Sequence, residues 1–246
     1  MQPDEYHKMA EVEDRMWYYR ALHRHVARSL TQAGLPADAA ILDAGCGTGG
    51  LLHYLHATQP TWKLSGVDLA AIACSLARER SGASIAEASV SGLPFADGSF
   101  SAITSCDVLC QVEKPEEALR EFVRCLRPDG VVVLTMPAYQ WLYSYHDRQV
   151  ANLRRYKCSE VKRILHSVGL NPVYSSYWNT LPFPLAVLRR KIFPPTNATS
   201  DVRLYPAPLE AIFNGMMAIE QGWLQVGGRL PYGSTVLVVA RKPGHP

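Results

Sequence analysis

The chain has 246 residues, a formal net charge of +3 at pH 7, and a composition that is 48% hydrophobic and 19% charged. The apolar fraction excludes a disordered chain, and the small net charge does not by itself predict binding to nucleic acid. No apolar run approaches the ~20 residues that span a membrane, and no charged-then-apolar leader starts the sequence, so we expect a cytoplasmic protein.

The predicted elements begin with an apolar stripe at helical spacing, which favours one helix over the first thirty residues, ended by Gly34 and Pro36. Strands and helices then alternate as far as residue 135, as in a parallel α/β sheet. The strands are predicted at 39–42, 62–67, 84–88, 100–105 and 131–135, and the helices at 49–57, 72–80 and 115–126.

The regular alternation ends after residue 137. An aromatic loop runs to about Tyr156, and a helix follows at 159–167, with Ser159 as its N-cap and Gly169 as its stop. Further strands are predicted at 170–178 and 234–240, and between them helices at 182–193 and 209–226 flank a linker-like loop at 194–200. We therefore expect a helical cap at 1–36, a core at 37–180, a helical lid at 181–230, and a last core strand within 231–246.

A glycine-rich turn after the first strand is the strongest functional signal. Asp43 is followed by Gly45, Gly47 and Gly49, and glycines at such a turn let a ligand lie against bare main chain. The turn follows a parallel strand, at the edge where open α/β sheets bind ligands. Its spacing differs from the Gly-x-Gly-x-x-Gly of dinucleotide sites, and the carboxylate of Asp43 would repel a phosphate and suit a cationic ligand.

A second acid, Asp68, ends the second strand 25 residues after Asp43. An acid at this point of the sheet accepts hydrogen bonds from ribose hydroxyls. Together the two acids predict a site for a nucleoside that carries a positive group and no phosphate. S-adenosylmethionine, with its sulfonium, ammonium, ribose and adenine groups, fits this description.

With these motifs the sequence resembles the class I S-adenosylmethionine-dependent methyltransferases of the broad bacterial small-molecule group. The resemblance extends from residue 16 to about 179 and includes the last strand. The segments at 93–100 and 121–130 resemble those that lead into the family's fourth and fifth strands. The resemblance implies a Rossmann-like, mostly parallel seven-stranded sheet with an antiparallel last strand, helices on both faces, and a helical lid insertion.

The resemblance also implies contacts to the cofactor. The glycine turn would cradle the methionyl part, Asp68 would bind the ribose, and Leu69 would lie on the adenine. The further cofactor-binding residues that it implies are Ser89, Val90, Asp107 and Val108 after the third and fourth strands, and Tyr18, Tyr19 and Arg20 on the first helix. Arg20 either pairs with the methionyl carboxylate or lies on the helix surface.

The acceptor side of the site has fewer signals, because the His that many relatives place after the fourth strand is missing. Gln111 stands nearby and can hold a substrate group, but it cannot take a proton at neutral pH. His146, in the aromatic loop, is either a base beside Asp147 or a hydrogen-bonded residue that locks the loop. The remaining catalytic candidates are Tyr139 in that loop and Tyr177 and Asn179 at the end of the sixth strand, where sheet packing is the alternative.

Two basic clusters stand in the second half. Arg154 and Arg155 resemble an ending that relatives share, and the alternative for them is a solvated helix start. The cluster at 189–191 follows an apolar octet and is interpreted as a solvated helix end, with contact to a membrane or an acidic partner as the alternative. Charges elsewhere are dispersed, and an Asn/Asp-Pro-Pro-Tyr segment for a flipped base is absent, so no nucleic-acid partner is predicted.

The sequence therefore predicts an enzyme that uses S-adenosylmethionine to methylate a small molecule by in-line displacement at the sulfonium. Two alternatives stay open: a cyclase that closes the methionyl chain to azetidine-2-carboxylate and releases methylthioadenosine, and a non-catalytic module that binds the cofactor. The six cysteines form no zinc-like cluster, so neither a metal nor a disulfide is predicted. No membrane partner is expected, and the oligomeric state stays open.

Overall fold

The predicted sheet lies at the centre of the molecule in a computed structural model that describes residues 3–194 and 200–244. Its strands are β1 (Ala40–Ala44), β2 (Lys63–Asp68), β3 (Ser84–Glu87), β4 (Phe100–Cys106), β5 (Leu126–Pro137), β6 (Asn171–Trp178) and β7 (Thr235–Arg241). Their order is β3-β2-β1-β4-β5-β7-β6, and β7 runs antiparallel to both of its neighbours, whereas the other pairs are parallel. The predicted mostly parallel sheet of seven strands with an antiparallel last strand is confirmed.

Helices cover both faces of this sheet, as the resemblance implied. They are α1 (Pro3–Val12), α2 (Trp17–Gln32), α3 (Gly50–Thr58), α4 (Ala71–Ser81), α5 (Pro115–Cys125), α6 (Tyr145–Gln149), α7 (Cys158–Ser167), α8 (Phe183–Val187), which a π-helical turn (Leu188–Ile192) continues, and α9 (Ala207–Gln225). Successive residues of β1 face opposite sides: Ile41 is buried in one cluster with Leu30 of α2, and Leu42 in another with Phe122 of α5. Since both faces are covered there, β5 is continuously apolar from Val131 to Leu134.

The N-terminal segment differs from the prediction, since α1 and α2 are separate helices. The backbone turns at 13–16 although neither Pro nor Gly stands there, and Met16 is extended. The turn places the side chain of Glu13 in the interior, where it meets Thr48 and Arg80, and α1 packs on α4. Buried polar contacts thus replace a continuous helix, and the hydrophobic periodicity does not report them.

Three details of the second half also differ. The N-cap of α7 is Lys157 rather than Ser159, because the helix begins at Cys158. The helix predicted at 182–193 is the short α8 followed by the π-helical turn, and the aromatic loop contains α6, which begins with a capping box of Ser144 and Asp147. Most of the predicted linker at 194–200 lies outside the described residues.

The segments predicted as cap and lid contact each other. α9 packs along α2, the backbone N–H of Trp17 donates to Oε2 of Glu210 (2.9 Å), and the rings of Trp17 and Phe213 stack with centroids 4.9 Å apart. The division of the chain into cap, core and lid itself stays a prediction. Within the described residues, the helices are too short or too polar for any of them to cross a membrane.

Candidate active site

A cavity of about 580 Å³ lies at the carboxyl ends of the parallel strands. Residues at or just after the ends of β1 to β5 line it, and its other walls include residues of α1, α2, α8 and the π-helical turn, and residues 201, 202 and 205. Open parallel sheets bind ligands at this edge, and the volume is within the ~300–1,000 Å³ of ligand pockets. The predicted cap and lid therefore border the same space as the glycine turn.

The glycine turn needs its glycines for two different close approaches. Gly45 and Gly49 have φ values of 84° and 81°, in the left-handed region. A Cβ on Gly45 would lie 2.2 Å from Cγ2 of Val108, and one on Gly49 would lie 2.8 Å from Cα of Ala77. Gly45 and Gly47 line the cavity, whereas Gly49 lies behind the turn and packs on α4.

Both predicted acids line the cavity beside this turn. Oδ2 of Asp68 accepts a hydrogen bond from the backbone N–H of Gly47 (2.9 Å), and Oδ1 accepts one from Ala70 (3.0 Å). Asp43 is buried and accepts a hydrogen bond from Oγ1 of Thr104 (2.8 Å). Burial raises the pKa of Asp43 to about 7, and the nearby carboxylates add to this effect. A bound cation would restore the ionised form.

A third acid, Glu13, was not predicted. Its Oε2 accepts hydrogen bonds from Oγ1 of Thr48 (2.5 Å) and Nη1 of Arg80 (2.6 Å), and its Oε1 lies 3.6 Å from Nε2 of His23. Burial opposes its ionisation, but the contacts with His23 and Arg80 lower its pKa below the usual value. The one signal in the sequence is its position, because an acid at 13 falls on the apolar stripe between Met9 and Met16.

Tyr18 joins the first helices to the end of β4. Its hydroxyl donates to Oδ2 of Asp107 (2.7 Å), and its ring stacks on Trp178 with centroids 5.2 Å apart. Asp107 has a φ of 58°, and burial raises its pKa. Tyr18, Tyr19, Asp107 and Val108 all line the cavity, together with Leu69, Ser89 and Val90 beyond β2 and β3.

His146 lines the cavity, but the carboxylate of the neighbouring Asp147 is bonded to other residues of the loop. Oδ1 of Asp147 accepts hydrogen bonds from Nε of Arg155 (2.8 Å) and Nδ2 of Asn152 (3.0 Å), and its Oδ2 accepts one from the backbone N–H of Ser144 (2.8 Å). These bonds hold the loop together and use the carboxylate that a catalytic His–Asp pair would need. The Nδ1 of His146 instead accepts a hydrogen bond from the backbone N–H of Asp201 (3.1 Å).

Other predicted residues divide between the cavity and its surroundings. Gln111 and Asn179 line the cavity. Tyr139 and Tyr177 do not, because their rings stack on each other with centroids 5.2 Å apart, and the hydroxyl of Tyr177 accepts a hydrogen bond from the backbone of α7. Arg20 is exposed and does not line the cavity. In this structure it lies on the helix surface, which was the second of its two predicted positions.

The interpretation of the 189–191 cluster as a solvated helix end was wrong for two arginines, and the solvated alternative does not describe Arg155. Arg155 is buried against Asp147, and Arg189 and Arg190 line the cavity and bind Asp201. Composition gives no sign of this, because each partner is supplied by the tertiary arrangement of the lid and the loop.

Residues 42–134 match the sequence family described as a methyltransferase domain. Over these residues the chain has the methyltransferase domain of the class I S-adenosylmethionine-dependent methyltransferases. The predicted methyltransferase domain is confirmed over these residues, and so is the cofactor that this family uses, S-adenosylmethionine.

Curated relatives match about half of the chain. It is 30% identical over 122 residues to the ubiquinone/menaquinone biosynthesis C-methyltransferase of Desulfotalea psychrophila, a match that covers 47% of this chain and 50% of that protein. It is 32% identical to the malonyl-[acyl-carrier protein] O-methyltransferase of Enterobacter lignolyticus, over 48% of this chain and 47% of the relative. The chain thus spans about half the length of these relatives.

Among solved structures, the fold resembles a chain in the complex between the Haloferax volcanii Trm112 methyltransferase activator and a methyltransferase. The TM-score is 0.67 with 20% sequence identity, and the match covers 99% of this chain and 98% of that chain. At this identity the likeness shows the fold alone.

The residues present fit the cofactor of the family. Gly45 and Gly47 offer bare main chain, and a Cβ on Gly47 would lie 2.8 Å from Cε of Met9 in the cavity wall. Asp43 and Asp68 place negative charge beside them, which suits a sulfonium and an ammonium group and a pair of ribose hydroxyls.

Proposed function

We propose that this methyltransferase transfers the methyl group of S-adenosylmethionine to a small-molecule acceptor. The observation that carries the proposal is the shared cavity, in which the acids of the glycine turn and the polar side chains Gln111 and Asn179 border one space. When bound, the cofactor supplies an electrophilic methyl group and its own leaving group. The protein then has to hold two ligands in line and exclude water.

The acidic part of the cavity is proposed to hold the cofactor. The main chain at Gly45 and Gly47 would bind the methionyl part, Asp68 the ribose, and Leu69 the adenine. Leu69 is 72% exposed, so its side chain is free to cover a flat ring. Asp43 would face the positive charge, and its raised pKa makes ionisation of this carboxylate depend on that charge.

His146 supplies no base in this arrangement. Because its Nδ1 accepts a hydrogen bond from the backbone of Asp201, the proton of the neutral ring belongs on Nε2. Burial lowers the pKa of His146 to about 4, and the charge of Arg190 adds to this effect, so the ring is neutral at pH 7. We infer an acceptor atom that is nucleophilic without a protein base, such as an amine or an acidic carbon.

Asn179 favours an acceptor that can donate a hydrogen bond. Its Oδ1 is buried and has no hydrogen-bond partner among the described residues, while its Nδ2 donates to Oγ1 of Thr235 (3.5 Å). Its φ of 60° fixes the residue in an uncommon conformation at the end of β6. An unpaired buried acceptor is costly, and a ligand N–H at this point would satisfy it.

The test is a product assay with purified protein, S-adenosylmethionine, and a panel of small amines and acidic-carbon compounds. We expect S-adenosylhomocysteine only in the presence of an acceptor. Methylthioadenosine formed without an acceptor would instead establish the cyclase. If calorimetry detects binding of neither S-adenosylmethionine nor S-adenosylhomocysteine, the proposed cofactor is wrong.

Matched variants locate the cofactor in the cavity. Asp68→Asn is expected to weaken binding of S-adenosylhomocysteine by about tenfold, since a charge-assisted contact to the ribose is lost. Asp97→Asn is the control, because Asp97 is 80% exposed and pairs with Arg124 on the outer surface. Equal affinities in the two variants would show that Asp68 does not bind the nucleoside.

A further inference from the structure

Two adjacent arginines of the lid converge on one carboxylate at the wall of the cavity. Nε of Arg189 lies 3.0 Å from Oδ1 of Asp201, and Nη2 of Arg190 lies 3.0 Å from Oδ2. The side chains of Arg190 and Asp201 are each 14% exposed, and that of Arg189 is 35% exposed. All three residues line the cavity, so the pair of guanidinium groups borders the space where an acceptor would bind.

Positive charge exceeds negative charge at this part of the cavity. Arg155 also lines it, and the Arg155 guanidinium is paired with Asp147, with both side chains almost fully buried. Two guanidinium groups therefore share the single carboxylate of Asp201 among the lining residues that the structure describes. His146 beside them is neutral, so it adds no charge to this part of the cavity.

Another part of the same cavity is acidic. Glu13, Asp43 and Asp68 line it around the glycine turn. A cavity with acids at one part and unbalanced arginines at another is suited to two ligands of different charge. A cation fits the acids, and an anion fits the arginines.

The lid helix also supplies an apolar surface next to the arginines. Leu185 and Ala186 line the cavity and stand four residues before Arg189 and Arg190, so each pair lies on one side of the helix. The arginines lie on the π-helical turn, a conformation that occurs often at functional sites. The same face thus changes from apolar to cationic along its length.

We propose that Arg189 and Arg190 bind an oxyanion group, a carboxylate or a phosphate, at the end of an acceptor whose apolar part contacts Leu185 and Ala186. This inference rests on the proposed function and names the class of acceptor. Asp201 then occupies the guanidinium pair in the absence of that group, and the acceptor's oxyanion competes with it. Two adjacent guanidinium groups suit such a group because each offers parallel N–H donors.

The test measures binding of hexanoate, hexyl phosphate and hexanol by calorimetry, with and without S-adenosylhomocysteine. We expect one of the two anions to bind and hexanol to bind at least tenfold more weakly. The anion with the higher affinity shows whether the site prefers a carboxylate or a phosphate. Arg189→Gln and Arg190→Gln are each expected to weaken the anion by about tenfold or more. Lys191→Gln is the matched control, because it removes the same charge from the adjacent, exposed position outside the cavity.

Asp201→Asn separates binding from a structural role. Removal of the competing carboxylate is expected to tighten anion binding several-fold, whereas a lid that is only held together by this ion pair would bind more weakly. Anion affinity that falls in Asp201→Asn, or that is unchanged in both arginine variants, overturns the inference. Loss of S-adenosylhomocysteine affinity in the arginine variants would assign them to the cofactor and also overturn it. If the wild type binds the anion but not the nucleoside, the proposed function fails and the anion site stands.

Discussion

Oε2 of Glu13 accepts a hydrogen bond of 2.5 Å from Oγ1 of Thr48, which ties the break between α1 and α2 to the glycine turn. The same oxygen accepts a hydrogen bond from Arg80 of α4, and His23 of α2 lies near the other oxygen. One buried carboxylate therefore connects the first two helices, the glycine turn and α4. The turn is fixed from the side of the cap as well as from the sheet.

Replacement of Glu13 by Gln should lower the free energy of unfolding by about 3 kcal/mol, because Arg80 loses a buried ionic partner. Urea denaturation measures the change. Asp14→Asn is the control: Asp14 also pairs with Arg80 but is 58% exposed, so its loss should cost under about 1 kcal/mol. Equal losses of unfolding free energy in the two variants would show that the buried ion pair stabilises the fold no more than the exposed one.

The pH dependence of this contribution has a definite sign. The pKa of Glu13 is lowered in the folded state, so its stabilisation is present above the unfolded value of roughly 4.3 and is lost as the pH falls through the folded pKa. The difference in unfolding free energy between wild type and Glu13→Gln should therefore shrink below pH 4. A constant difference down to pH 2 would contradict this assignment.

The raised pKa of Asp43 should make the stability of the fold change with pH in the opposite direction. Its pKa is raised to about 7 by burial, so the folded state holds a proton that the unfolded state releases, and stability falls as the pH rises from 4 to 7. Relative to Asp43→Asn, the wild type should lose roughly 4 kcal/mol across that window. Denaturation at pH 4, 5.5 and 7 checks the slope, and parallel curves for the two proteins would exclude it.

Ionisation of Asp43 should also make cofactor binding depend on pH. S-adenosylmethionine carries a sulfonium charge and S-adenosylhomocysteine does not, so affinity for the former should rise more steeply between pH 6 and 8. Calorimetry with both nucleosides measures the ratio of the two affinities, and Asp43→Asn should flatten it. A ratio that is constant in the wild type would show that Asp43 does not face the sulfonium.

Gly45→Ala should be far more damaging than a matched glycine substitution. The new Cβ would lie 2.2 Å from the Val108 side chain at a φ of 84°, so we expect a loss of about 3 kcal/mol or more, with loss of nucleoside binding. Gly34 has a φ of 73° and open space around it, so Gly34→Ala should cost only about 1 kcal/mol. Thermal melts with and without S-adenosylhomocysteine measure both effects, and similar melts for the two variants would refute the steric argument.

Tyr18→Phe tests the bond between the cap and β4. The variant keeps the ring that stacks on Trp178 but removes the donor to buried Asp107, so we expect a loss of about 1–3 kcal/mol. Tyr143→Phe removes a bond to a neutral carbonyl and should cost about 0.5–1.5 kcal/mol. A smaller loss in Tyr18→Phe than in Tyr143→Phe would contradict the charge-assisted bond.

The sequence was most informative where structure is local. The strand from Ala40 to Ala44, the glycine turn and the acid at Asp68 follow from hydrophobic runs and turn chemistry, which depend on neighbouring residues. The bond from the backbone of Gly47 to Asp68 brings together residues of two adjacent parallel strands, as the order of such a sheet requires.

The parts that escaped prediction depend on distant partners. Glu13 is buried because Thr48 and Arg80 reach it, and Arg190 lines the cavity beside Asp201, its ion-pair partner eleven residues further along the chain. Hydrophobic periodicity assigns charged residues to the surface, so each buried ion pair is a case that it misplaces. The family match does not predict these residues either, because it covers residues 42–134 and both Glu13 and Arg190 lie outside that range.

The position of β7 between β5 and β6 has a consequence for the order in which the chain can be assembled. During synthesis, β6 and both lid helices leave the ribosome before residues 235–241, yet the strand to which β6 hydrogen-bonds is β7. Until that strand emerges, β6 has no strand to pair with, while β1 to β5 can already pair. We therefore expect a nascent chain that holds the glycine turn first and gains its acceptor pocket last.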